Sequence, residues 1–99
     1  MGKTQTRYQA AEGFVHRKVA DNDVLISVGG NVANFNGYIT LNSTASFLWD
    51  ALAQRRSSDE LETLLTGEFD VSEEIARRDV MQFLQMLQQN AMVTVYEEA

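Results

Sequence analysis

A chain of 99 residues, 44% hydrophobic and 22% charged, has the composition of one small globular domain, too small for a second core or a deep catalytic cleft. A formal net charge of -6 removes the counterion-release term that drives nucleic-acid binding and disfavours anionic lipid, which leaves a basic peptide or protein surface as the easier partner. The absence of cysteine excludes disulfides, thiolate nucleophiles and Cys-ligated metals and fits a reducing cytoplasm.

Residues Met1 to Ala11 are polar and aperiodic, which reads as a flexible segment over residues 1–12 ahead of one domain over residues 13–96. They hold no signal-peptide h-region, and no apolar run in the chain is long enough to cross a bilayer. From Phe14 the pattern becomes one of short apolar alternations. Phe14, Val15 and Val19 mark a first strand, and Asp21-Asn22-Asp23 carries turn chemistry. Val24, Ile26 and Val28 alternate with Leu25 and Ser27 as a second strand, and Gly29-Gly30-Asn31 supplies the next turn. A third strand follows, with Phe35, Ile39 and Leu41 on one face and Tyr38 and Thr40 on the other.

The apolar period switches at Asn42. Asn42 or Ser43 caps a helix over Ser43–Ala53 that carries Ala45, Leu48, Trp49 and Leu52 at helical spacing. Ser57 and Glu60 form a capping box for a second helix, Asp59–Thr66, which Gly67 is placed to stop. Asp70 or Ser72 caps a third, Glu73–Gln89, with a stripe of Ala76, Val80, Phe83, Leu84 and Leu87 and with Arg77, Arg78, Gln82 and Gln85 turned to water. Val93 to Tyr96 add a short terminal strand or lie against the core. The expected fold is α+β and winged-helix-like: a three-stranded antiparallel meander followed by a three-helix layer.

No set of residues in this pattern assembles an active site, and neither metal nor cofactor is expected. His16 is the single histidine and reads as an exposed strand residue. Asp59, Glu60 and Glu62, and again Glu73 and Glu74, stand at helix starts, where the macrodipole favours negative charge over any catalytic role. Arg77 and Arg78 are flanked by Glu74 and Asp79, which makes a mixed surface instead of a phosphate-facing one.

The run from Phe35 through Leu41-Asn42-Ser43-Thr44-Ala45 to Leu48-Trp49 resembles the centre of the PqqD-like family. Glu68-Phe69-Asp70-Val71-Ser72, then Asp79-Val80 and Phe83-Leu84, are similar to that family's second segment. The resemblance implies a non-catalytic precursor-peptide recognition element that binds the leader of a ribosomally made peptide and presents it to a tailoring enzyme. That enzyme is a radical-SAM protein first, or a protease or cyclase as in lasso-peptide systems. It further implies that the leader adds a strand beside the third strand, in a groove walled by the third helix. Carried onto this chain, the peptide-binding residues are Asn34, Phe35, Asn36, Gly37, Tyr38, Ile39, Arg77, Val80, Phe83 and Leu87.

The residues support that mode without the family. The third strand of a meander can be an edge with unpaired amides and carbonyls, and this one lacks a blocking proline or lysine. Two other readings stand beside it: a winged-helix nucleic-acid regulator, and a homodimeric domain pairing through its edge strand. The protein itself is a monomer or a homodimer.

Overall fold

The computed structural model describes residues 5–28 and 38–98 of the chain. The elements run β1 (Gln5–Ala10), β2 (Phe14–Val19), β3 (Asn22–Ser27), β4 (Tyr38–Leu41), α1 (Ser43–Ala51), β5 (Arg56–Ser57), α2 (Ser58–Glu68), α3 (Glu73–Gln89) and β6 (Val93–Glu98). The fold is α+β, with two three-stranded antiparallel sheets, ordered β2-β3-β4 and β5-β1-β6.

The meander is the sheet the apolar alternation predicts. In it Phe14, Leu25, Ile39 and Leu41 share the face turned to the helices, and Phe14 meets Trp49 edge to face at 6.2 Å. The first turn is tighter than Asp21-Asn22-Asp23 suggests. Val19 pairs with Asn22, so Ala20 and Asp21 alone form the tip, and Ala20 takes a φ of 56°. The Gly29-Gly30-Asn31 turn lies outside the described residues.

The second sheet adds to the expected meander and helices, takes up the terminal strand over Val93–Glu98, and corrects the reading of the N-terminal segment. Gln5–Ala10 is not an irregular tail: β1 is the central strand, paired with β6 along its full length and with β5 at Arg7 and Tyr8. Its stabilisation comes from partners far away in sequence. Arg7 bridges Glu60 at 2.8 Å and Glu98 at 3.1 Å, Ala10 N–H donates to Leu52 C=O, and Tyr8 and Ala10 pack on the core. Gly13, at φ +99°, occupies the turn into β2, a backbone region that only glycine enters cheaply.

Capping chemistry sets the helix starts. Asn42 Oδ1 accepts from Ala45 N–H, Ser57 and Glu60 close the capping box in both directions, and Ser72 Oγ accepts from Ile75 N–H. Gly67 does not stop α2, which runs on to Glu68. The helix ends where Phe69 turns extended and stacks edge to face on Phe47 at 5.5 Å, so a tertiary anchor overrides the glycine signal. At the end of α3, Met92 N–H donates to Leu87 C=O and Ala91 N–H to Gln88 C=O, with Ala91 at φ 56°. This is a Schellman closure with alanine in the place glycine usually takes.

One core unites the elements. Leu25 and Leu41 of the meander meet Leu48, Trp49 and Leu52 of α1, Leu61 and Leu65 of α2, the Ala76–Leu87 stripe of α3, and Met92. No helix among the described residues is long and apolar enough to cross a membrane.

Candidate functional site

The register of the meander decides which backbone groups face outward. Val28 N–H donates to Gly13 C=O at 2.8 Å, which extends the Phe14↔Ser27 pairing by one step. Main-chain groups alternate sides along a strand, so the even-numbered residues of β3 bond β2 and the odd-numbered ones bond β4. Ile39 and Leu41, opposite Leu25 and Asp23, therefore direct their N–H and C=O groups into the sheet. Tyr38 and Thr40 direct theirs to the other side. Among the described residues β4 pairs with β3 alone, so that side is an open edge.

Beyond the end of β4 lies a hollow of about 230 Å³ between two helices. Asn42, Thr44, Ala45 and Leu48 of the α1 start form one wall, and Asp79, Gln82 and Phe83 of α3 form the other. Asn42, on the rim of this hollow, directly follows Leu41, the last residue of β4.

The sequence-derived site residues divide into four groups against this geometry. Asn34, Phe35, Asn36 and Gly37 lie outside the described residues. Tyr38 is 67% exposed, on the face of the meander turned away from the helices, whereas Ile39 is on the helix side and half-buried against the core. Phe83 reaches the hollow, but Val80 and Leu87 are fully buried and support it only from beneath. Arg77 projects to solvent and pairs loosely with Glu62 at 3.8 Å, away from the hollow. Asn42, Thr44, Asp79 and Gln82 were not singled out by the sequence as site residues. The available signal was helical: Asp79, Gln82 and Phe83 stand at i, i+3 and i+4, one face of α3.

The other face of the meander is also apolar. Val19, Val24, Ile26, Tyr38 and Thr40 line a second hollow of about 210 Å³ there, and Val24 is 4% exposed although it faces away from the helices.

His16 is not the free strand histidine its sequence context suggests. Its Nδ1 lies 2.8 Å from Asp50 Oδ1, and its Nε2 lies 3.0 Å from both Asp23 Oδ1 and Ser46 Oγ, so it ties β2 to β3 and α1. Burial alone lowers its pKa and is the largest single influence. The hydrogen bonds and charges of Asp50 and Asp23 together outweigh it, and the net pKa is raised above the ordinary 6.5. The Asp50–His16–Ser46 sequence of contacts has the outline of a nucleophile relay, but Asp23 holds Nε2 as well. Asp50 and Asp23 between them engage both ring nitrogens, which leaves no nitrogen dedicated to Ser46, so the group acts as a clamp.

A raised folded pKa makes the clamp's contribution complete below 6.5 and lost as pH climbs through the folded value. Thermal melts should therefore show His16→Gln losing about 1.5–3 kcal/mol at pH 6, the usual range for hydrogen bonds to charged groups, and clearly less at pH 8.5. Equal losses at both pH values would show that the clamp does not titrate in this window.

A family model described as coenzyme PQQ synthesis protein D (PqqD) matches residues 23–93. Two solved structures share the fold. "Lasso peptide synthetase B1 complexed with the leader peptide" superposes with a TM-score of 0.68 at 22% identity, over 88% of this chain and 96% of that one. "TbiB1 in Complex with the TbiA(beta) Leader Peptide" gives a TM-score of 0.65 at 21% identity, over 86% and 93%. Among curated protein sequences there is no significant match.

Proposed function

The chain belongs to the PqqD family, and from that premise we propose that it is a non-catalytic peptide chaperone. It binds the leader of a ribosomally made precursor peptide by strand addition and presents it to a separate modifying enzyme, a radical-SAM protein in the first instance or a protease or cyclase. The observation that carries this reading is the open edge of β4, with the main-chain groups of Tyr38 and Thr40 turned outward and the hollow at Phe83 beginning at Asn42, the residue after the strand. Main-chain bonds to an added strand supply affinity, and the hollows beside it supply specificity. Both structural relatives named above are complexes with leader peptides, which supports the same role here. The peptide-contacting set is Tyr38, Ile39 and Phe83 with the Asn34–Gly37 run, and Val80 and Leu87 hold Phe83 in place from the core.

Nucleic-acid recognition is the weaker reading. The two exposed arginines of α3 each stand beside a carboxylate, Arg77 by Glu62 and Arg78 by Asp79, in a chain of net charge -6. The test is an amide-shift titration with a synthetic leader peptide, run alongside random duplex DNA. The expected result is shifts at Tyr38–Leu41 and Asp79–Phe83 with the peptide and none with DNA. Shifts confined to α2, or a steeply salt-dependent complex with duplex, would overturn the proposal.

A further inference from the structure

We propose that Asp79 makes the hollow at the end of β4 a receptor for a lysine or arginine side chain of the leader. This rests on the leader-binding reading and adds a charge preference to it. Among the described residues Asp79 is the one ionisable group lining the hollow, whose other walls are Asn42, Thr44 and Gln82 over an apolar floor of Ala45, Leu48 and Phe83. Its side chain is 29% exposed, and its one ion pair among the described residues, to the largely exposed Arg78, is long at 3.7 Å. A half-desolvated carboxylate without a close cation attracts one more strongly than a fully exposed carboxylate does.

The shape suits such a guest. A lysine or arginine stem is aliphatic and packs on Leu48 and Phe83, while its head donates to Asp79 and to the side-chain carbonyl of Gln82. The start of α1 is the competing influence, because a helix N-terminus carries a partial positive charge that favours anions. That end is already capped, with Asn42 Oδ1 accepting from Ala45 N–H. A full carboxylate charge outweighs about half a charge that is capped. The -6 charge of the whole chain steers basic segments in the same direction.

The experiment is selection from a phage-displayed random peptide library on the full chain, repeated on Asp79→Asn, Asp79→Lys and Thr40→Pro, with melts confirming that each variant is folded. The expected result is lysine or arginine at one constant position of the selected peptides. Affinity for such a peptide should fall about twofold to fivefold in Asp79→Asn, the size of one partly screened charge pair. Asp79→Lys should switch the preference at that position to aspartate or glutamate. Peptides selected with no basic preference, or with one that Asp79→Lys leaves unchanged, overturn the charge proposal and leave strand addition standing. Peptides that bind Thr40→Pro as tightly as the parent, or a failure to select any, overturn strand addition and this proposal together.

Discussion

Thr40→Pro should weaken leader binding by roughly tenfold to a hundredfold while leaving the domain folded. The prediction follows from strand parity. Thr40 is in β4, where Ile39 and Leu41 face Leu25 and Asp23 across the ladder and the groups of Thr40 point to the open edge. Proline removes the N–H of Thr40, which the sheet itself does not use, and its fixed φ is tolerated on an edge strand. An added leader strand loses a main-chain donor and leaves one of its own carbonyls unpaired against the ring. That costs about 1–3 kcal/mol, or about fivefold to 150-fold in Kd, which brackets the stated range. Two neighbouring variants separate edge from fold. Thr40→Ala keeps the donor and should bind normally, and Ile39→Pro breaks the bond to β3 and should lower the melting temperature as well. Calorimetric titration of the three variants with the leader peptide reads the difference. Unchanged binding by a folded Thr40→Pro would mean that the leader does not pair with β4.

The parts of this fold that can be read from the sequence are those whose signals are local. The switch from period two to helical period at Asn42, and the caps at Asn42, Ser57 and Ser72, involve residues within four positions of one another, and the structure keeps all of them. What the sequence does not show depends on distant partners. Gln5–Ala10 carries few apolar residues and becomes a strand because residues 93–98 pair with it from the other end of the chain. His16 is held by Asp50 and Ser46, and nothing near it in sequence announces that contact apart from Asp23. Gly67 is a sound local stop signal, overridden by the packing of Phe69 on Phe47.

The candidate site shows the same division. An apolar stripe of period 3.6 identifies the inner face of α3, but it does not separate a residue inside the core from one that lines a surface hollow. Val80, Phe83 and Leu87 look equivalent in the sequence, and only Phe83 reaches the hollow. Asp79 and Gln82 flank that stripe. Beside Arg78 and Gln85 they read as a solvated face, and the approach of the α1 start is what encloses them.

A chain that begins at Gly13 should lose most of its stability, although its first twelve residues look expendable in the sequence. Removing β1 leaves β5 and β6 without a shared neighbour, because β1 is the strand between them. The six paired positions of β6 lose their ladder, and the two of β5 lose theirs. Leu52 C=O and Met92 C=O lose the amides of Ala10 and Ala11, and both belong to residues with no exposed surface. Unpaired buried carbonyls cost about 1–3 kcal/mol each. Tyr8 and Ala10 also leave the core, uncovering apolar surface at about 25 cal/mol per Å². Glu60 and Glu98 lose Arg7, a smaller loss because both are partly exposed. Together these amount to about 5 kcal/mol or more, against a total of about 5–15 kcal/mol for a typical domain. Urea unfolding followed by Trp49 fluorescence should show a broad, early transition or none, where the full chain unfolds cooperatively. A shortened chain that melts within about 5 °C of the full one, equivalent to roughly 1 kcal/mol, would show that β1 is an accessory strand and that the meander and helices fold without it.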